Sequence, residues 1–271
     1  MSILKSKKAI VAAFGLGLSM LSTSIAAQSS LKIGTDLTYP PYNYLEGKVA
    51  SGFDAEFMRL VSNELNKEPT FLDTRFANLI MGVNLGKFDV IASTLYVTPE
   101  RAKEIDYIPY MKTGGLLLAS KTGAFKPSKP SDLCGKRVSS IQGAAWIKKL
   151  HAVSKSECEP NNLGKIDVRE FPTSPEASQA LIAGMVDAQF EDAAVAKVAA
   201  TKSGKLELTS DIIYPVVVGL AVKKGQDDFK SEVAAAVKSV EQTPEFLALL
   251  EKYSVSAPSE QEFEAALNGT L

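Results

Sequence analysis

The chain has 271 residues, with 30 basic against 31 acidic side chains and a formal net charge of −1. Charges so balanced and so dispersed exclude a nucleic-acid footprint, which requires clustered Lys and Arg and a high pI. The length suits one large domain or two of ordinary size.

The N-terminus reads as a leader rather than as part of the fold. Lys5, Lys7 and Lys8 precede an uncharged apolar run over residues 9–21, and small residues follow up to Ala26 and Ala27. A basic start, a short apolar stretch and a small-x-small site predict a secretory signal peptide over 1–27, cleaved after Ala26 or Ala27. The run is short for a membrane span, which takes roughly 20 apolar residues. In an exported chain the two cysteines, Cys134 and Cys158, read as a disulfide, with two buried thiols as the alternative. Only one histidine, His151, exists to join them, so a zinc site is not expected.

Beyond the leader, short apolar strands alternate with amphipathic helices, the signature of α/β layers. A strand over 31–34 runs into a Pro-rich turn, Tyr39-Pro40-Pro41-Tyr42. Gly52 precedes a helix whose apolar face, Phe53, Phe57, Leu60, Val61 and Leu65, follows a period of 3.6. Next come a strand over 70–72, a helix over 76–85 stopped by Gly86, and a strand over 88–92. Thr98 suits the cap of a short helix begun by Pro99. A strand over 116–119 leads into residues 121–130, rich in Lys, Pro, Gly and Ser, which read as a boundary. A second α/β unit has strands over 136–140, 166–171 and 186–190, with helices after Gly143, over 175–183 and over 192–201. A strand over 216–223 and helices over 227–241, 244–253 and 259–267 complete the pattern.

Several segments are specific as a set. They include Ile33-Gly34-Thr35-Asp36-Leu37-Thr38-Tyr39-Pro40-Pro41-Tyr42, Gly52-Phe53-Asp54, Gly86-Lys87-Phe88-Asp89-Val90, Thr98-Pro99-Glu100-Arg101 and Ala183-Gly184-Met185-Val186-Asp187-Ala188. In that order and spacing the sequence resembles the periplasmic polar amino-acid-binding family, the family 3 solute-binding proteins of ABC importers, over essentially the whole mature chain. The resemblance implies an α/β fold of two Rossmann-like lobes joined by two crossover strands, the type II periplasmic-binding-protein fold, with the ligand in the interlobe cleft. Lobe 1 would comprise 28–114 and 217–271, and lobe 2 would comprise 115–216. It also implies a recurrent disulfide within lobe 2. The protein would be a periplasmic monomer without cofactor or metal, capturing an amino acid or related ammonium compound for a membrane permease.

The site can be argued from chemistry as well. A zwitterion requires a guanidinium for its carboxylate, a carboxylate for its ammonium, and apolar or aromatic walls. Arg101 suits the first role, its planar fork matching two oxygens, at the start of a short helix whose dipole favours an anion. Its alternative is an ion pair with Glu104. Asp192 falls at the family's ammonium position and is equally suited to an N-cap. Asp36, at the C-terminal end of the first strand where open sheets place ligands, either approaches a basic ligand or orders its loop. Tyr39 and Phe76 fall where the family stacks an aromatic on the ligand, and Ser93 and Thr94 offer backbone and hydroxyl groups.

Two positions depart from the family pattern. Tyr96 replaces a small hydroxyl residue, and Ala144-Ala145 replaces Thr-Thr, leaving the backbone N–H of Ala145 as donor. With Tyr96, and with Trp146 if it does more than pack the second lobe, the pocket is more aromatic than usual. Such walls suit cation–π contact, worth up to ~2 kcal/mol when desolvated. The rival reading is an exported cyclohexadienyl-dehydratase-like enzyme on the same scaffold. Glu191 or Asp192 would be its proton donor, although neighbours on a strand normally point opposite ways.

Overall fold

Residues 29–35 form the first strand, β1 (Ser29–Thr35), which sinks Leu31 and Ile33 into the interior. The computed structural model describes Ser2 and residues 29–271; the signal peptide expected over 1–27 lies, Ser2 apart, outside the described residues. After β1 the chain forms a small antiparallel sheet, β2 (Thr38–Tyr39), β3 (Asn43–Glu46) and β4 (Val49–Ser51), where the sequence suggested only a turn. Gly52 then enters helix α1 (Phe53–Glu64) with φ 107°, and a Cβ at this position would lie 2.3 Å from the Tyr42 carbonyl oxygen. Only glycine tolerates both conditions. Of the predicted stripe, Phe53, Phe57 and Val61 are fully buried, and Leu60 and Leu65 pack at its edge. Phe57 stacks on Tyr110 with 4.9 Å between ring centroids.

Strand β5 (Lys67–Asp73) runs parallel to β1. Helix α2 (Leu79–Asn84) is shorter than the helix expected over 76–85, because residues 76–78 form a 3-10 turn. The strand expected over 88–92 is reduced to β6 (Val90–Ile91). Strand β7 (Ile105–Ser120) is the largest departure, since it starts well before the stretch 116–119 predicted for it. The second half adds β8 (Arg137–Ile141), α3 (Trp146–Val153), β9 (Asp167–Phe171), α4 (Ser174–Ile182), β10 (Ala188–Asp192), α5 (Ala193–Ser203) and β11 (Leu206–Leu208). The chain returns along β12 (Ile213–Lys223) and ends in α6 (Asp227–Val240), α7 (Pro244–Tyr253) and α8 (Glu260–Asn268).

The strands are ordered β5-β1-β6-β12-β7-β10-β8-β9, with β11 also on β7. Each half is a parallel set, β5-β1-β6 or β10-β8-β9, capped by part of the long antiparallel pair β7 and β12. Residues of β7 from Ile105 to Thr113 pair with β12, whereas Gly115 to Leu118 pair with β10. The register of β12 against β7 breaks between Ile213 and Val216. These two strands are therefore the crossovers between two lobes, and both lobes turn the C-terminal ends of their parallel strands toward the space between them. Open α/β sheets bind ligands at such ends.

Cys134 and Cys158 are bonded, closing a separation of 24 residues, and neither lines the cleft described below. The chain-entropy model assigns such a loop about 3 kcal/mol. Urea unfolding with and without reductant should differ by that amount, with binding retained in the reduced, folded chain. Loss of binding on reduction without unfolding would contradict this.

Candidate ligand-binding cleft

Tyr39, Phe76, Thr94, Tyr96, Arg101 and Ala145 line one small cavity of about 10 Å³, together with Ile141, Ala144 and Trp146. The first five come from lobe 1, on β2, the 3-10 turn after β5, the loop after β6 and the turn at Arg101. Ala144, Ala145 and Trp146 come from the junction of β8 and α3. Trp146 serves both roles open to it. Its ring packs 5.5 Å from Phe190 within the second lobe and 5.5 Å from Tyr96 across the cleft, and its Nε1 donates to Ser140 Oγ at 2.8 Å.

Asp36 and Ser93 do not line this cavity. Asp36 Oδ2 accepts from the Phe76 N–H at 2.8 Å, and its Oδ1 accepts from the Thr38 hydroxyl at 2.6 Å, with the Arg75 guanidinium 3.0 Å away. The carboxylate thus orders the loop that presents Phe76. Burial pushes its pKa up, against the Thr38 hydrogen bond and the Arg75 charge. Ser93 Oγ accepts from the Asp36 N–H at 3.0 Å.

Arg101 does not begin a helix, and the dipole expected to favour an anion there is absent: Arg101–Lys103 is a single 3-10 turn, with Thr98 Oγ1 accepting from the Arg101 N–H at 3.2 Å. A macrodipole needs several aligned peptides, which one turn lacks. Two carbonyls aim the guanidinium instead. Nη1 donates to Tyr96 O and Nη2 to Gly143 O of the other lobe, both at 2.9 Å, with the guanidinium 5.4 Å from the Phe76 ring centroid.

Asp192, fully buried, does not line the cavity either; it lies behind Tyr96, whose hydroxyl it holds. Its Oδ1 caps α5 by accepting from the Ala194 N–H at 3.0 Å. Its Oδ2 accepts from Tyr96 Oη at 2.6 Å and Thr113 Oγ1 at 2.9 Å. Burial raises its pKa, and the Tyr96 and Thr113 hydrogen bonds oppose that rise.

Residues 31–256 match the sequence pattern of the bacterial extracellular solute-binding proteins, family 3. The chain belongs to that family. It is 25% identical over 257 residues to the L-arginine-binding protein of Pseudomonas aeruginosa, covering 91% of this chain and 96% of the relative. Identity to the L-cystine-binding protein TcyJ of Escherichia coli is 25% over 237 residues, covering 86% of this chain and 85% of the relative. Among solved structures, the ancestral amino acid-binding protein AncCDT-1, a precursor of cyclohexadienyl dehydratase, aligns with a TM-score of 0.72 and 27% identity. That alignment covers 83% of this chain and 95% of the other. The two lobes and paired crossovers are the type II periplasmic-binding-protein fold.

In this family 3 protein two further acids organise the cleft. From the sequence Asp54 has no place in the site, and Glu191 has only that of proton donor in the rival reading. Glu191, fully buried, accepts from Tyr39 Oη at 2.7 Å and the Asp192 N–H at 2.9 Å through Oε1. Its Oε2 accepts from Ser174 Oγ at 2.5 Å and Gln189 Nε2 at 3.0 Å. Both Glu191 and Asp192 therefore meet tyrosines of the opposite lobe, contrary to strand alternation. Asp192 is the last residue of β10 and at once the N-cap of α5, with φ −57° and ψ 145°, and at this turn from strand into helix the alternation rule ends. Asp54, on the first turn of α1, is also fully buried and binds both the N–H and the hydroxyl of Thr94.

Burial pushes the Glu191 pKa from 4.5 up to about 7, against the hydrogen bonds from Ser174 and Tyr39. The folded chain thus holds this proton more tightly than the unfolded chain. Its contribution to stability is lost as pH rises from the ordinary carboxylate range through about 7. Unfolding free energy should fall between pH 5 and pH 8 by on the order of 2–3 kcal/mol from this group. Urea midpoints at the two pH values should show the fall, and Glu191→Gln should flatten it. An equal slope in both proteins would rule Glu191 out as its source.

Proposed function

We propose that the chain is the periplasmic receptor of an ABC importer. It captures a small amino-acid-like zwitterion or cation, with Arg101 taking the carboxylate and Asp192 the ammonium. One observation carries this reading. A guanidinium and a fully buried carboxylate stand on opposite lobes, and among the described residues each is bonded only to neutral groups. A buried charge is costly unless paired, and a ligand of opposite ends completes Asp192 with its ammonium and the half-buried Arg101 with its carboxylate. Tyr39, Phe76, Tyr96 and Trp146 supply aromatic walls for the remainder. Relatives named for L-arginine and L-cystine support an amino-acid ligand.

Lobe 1, residues 28–114 and 217–271, closes on lobe 2, residues 115–216, by bending at β7 and β12. The change of partners along β7 supports this division. Cleavage after Ala26 or Ala27 releases the monomer into the periplasm, where it delivers the ligand to its permease. The likeness to a dehydratase precursor supports a second reading, catalysis by an acid of the cleft. The four donors that already occupy the oxygens of Glu191 favour capture instead.

Thermal melts of the mature chain against amino acids, opines, polyamines and betaines test the proposal. A ligand present at a hundred times its Kd adds about 2.7 kcal/mol to stability, which moves the midpoint by several degrees. At least one α-amino compound should do so. A flat response to the whole panel at millimolar concentration would count against it.

A further inference from the structure

We infer that Tyr96 is a displaceable cap that determines specificity: its hydroxyl holds the oxygen of Asp192 that an ammonium group would take, and a ligand binds by ejecting it. This rests on the reading of Asp192 as the ammonium partner.

The first support is the count of donors on Asp192. Its Oδ1 is committed to the Ala194 N–H at 3.0 Å, and its Oδ2 receives Thr113 Oγ1 at 2.9 Å and Tyr96 Oη at 2.6 Å. Thr113 and Ala194 belong to elements joined to Asp192, on β7, which pairs with β10 at Gly115, and on α5, whereas Tyr96 reaches it from the loop after β6. Tyr96 is therefore the partner that an incoming cation displaces.

The second support is that only the side chain of Tyr96 is free to yield. Its carbonyl is held by Arg101 Nη1 at 2.9 Å and Tyr107 Oη at 3.0 Å, and its backbone bridges to Val218 of β12. The third is space. Tyr96 lines the small cavity of about 10 Å³ and also a neighbouring cleft of about 350 Å³, bounded by Pro99, Phe190, Tyr214 and Val216. A change of rotamer carries the ring from one to the other, which uncovers Asp192 and deepens the pocket.

The selectivity follows from charge. A phenol offers one neutral donor, whereas an ammonium offers three donors and a full charge. A solute whose cation reaches Asp192 displaces the cap, and a neutral or anionic solute of the same shape does not. Tyr96 thus does more than narrow the pocket: it sets a threshold that only cationic groups pass.

Tyr96→Phe keeps the ring and removes the hydroxyl. Calorimetry with L-arginine and with L-cystine, and small-angle scattering in buffer alone, read the consequence. Whichever amino acid binds the wild type should bind Tyr96→Phe roughly tenfold or more tighter, because no hydrogen bond to a charged group is then broken on binding. The variant in buffer should also show a larger radius of gyration, having lost a bond that joins the lobes. Trp146, the single tryptophan, lies 5.5 Å from the Tyr96 ring and reports the swing by fluorescence. Circular dichroism and melting check that the variant folds, with Tyr96→Ser as a second variant. Equal or weaker affinity with an unchanged radius overturns the cap and leaves amino-acid capture standing. If neither amino acid binds either protein, expansion of Tyr96→Phe keeps the cap while the amino-acid reading loses support; no expansion removes the cap itself.

Discussion

Arg101→Ala and Asp192→Ala should each weaken binding of the zwitterion by roughly 30-fold to several thousand-fold, leaving a folded protein. When the lobes close, both partners and the ligand's charged ends leave water. Removing one partner strands the opposite charge of the ligand without compensation, at a cost of about 2–5 kcal/mol. The two carbonyls on the Arg101 fork, Tyr96 O and Gly143 O at 2.9 Å, hold its plane fixed before the ligand arrives, so little is lost in aiming it. Arg101→Lys should fail substantially too, because a point charge cannot reproduce two parallel donors. Calorimetry with the ligand found by the melting screen checks the series. Binding by Arg101→Ala within threefold of wild type would mean a cation without a carboxylate, held by Asp192 and the aromatic walls.

Much of this arrangement is legible in the sequence, and the parts that are not have physical reasons. The α1 stripe and the helix Pro244–Tyr253 follow from periodicity and from local signals, such as Thr243 capping before Pro244. The first half of β7 escapes because Pro109 and the polar residues Asp106, Lys112 and Thr113 break its apolar run. Proline in a strand ordinarily marks an edge or a bulge, and here Pro109 pairs with Gly219 where the register of β12 shifts. The crossover is thus hidden by the irregularity that accommodates it. Arg101 is legible as a residue but not in its setting, since a proline, a cap and a glutamate announce a helix where a 3-10 turn forms.

Residues that hold other residues are the hardest to read. Asp54 in the first turn of α1 has the signature of a solvent-facing helix-dipole partner, yet it is fully buried. Only its place after the tight Gly52 entry, with φ 107°, turns it inward, and that geometry is tertiary. Glu191 is similar: the sequence shows two adjacent acids, but only the fold shows that each receives a tyrosine from across the cleft.

Asp54→Ala should lower unfolding free energy by about 4 kcal/mol or more, a large share of the 5–15 kcal/mol typical of a domain. Its carboxylate accepts from Asn43 Nδ2 and the Thr94 N–H at 2.6 Å, from Tyr110 Oη at 2.7 Å and from Thr94 Oγ1 at 3.0 Å. Alanine would leave four buried donors without an acceptor, each costing about 1–3 kcal/mol. Part of that is offset, because burial of the carboxylate is itself unfavourable and pushes its pKa up against the Asn43 and Tyr110 hydrogen bonds. Asp54→Asn should cost less, about 2 kcal/mol, since one acceptor oxygen remains while the new amide donors face other donors. Urea unfolding followed by circular dichroism measures both. The effect should also reach the cleft. Thr94 lines the ligand cavity with φ 48°, a conformation unfavourable for a β-branched residue, and Asp54 binds its N–H and its hydroxyl together. Once released, Thr94 can relax out of that geometry, so Asp54→Asn should bind the ligand more weakly even where it remains folded. A loss of stability below 1 kcal/mol in Asp54→Ala would show that these donors find other partners, and that Thr94 is held by something else.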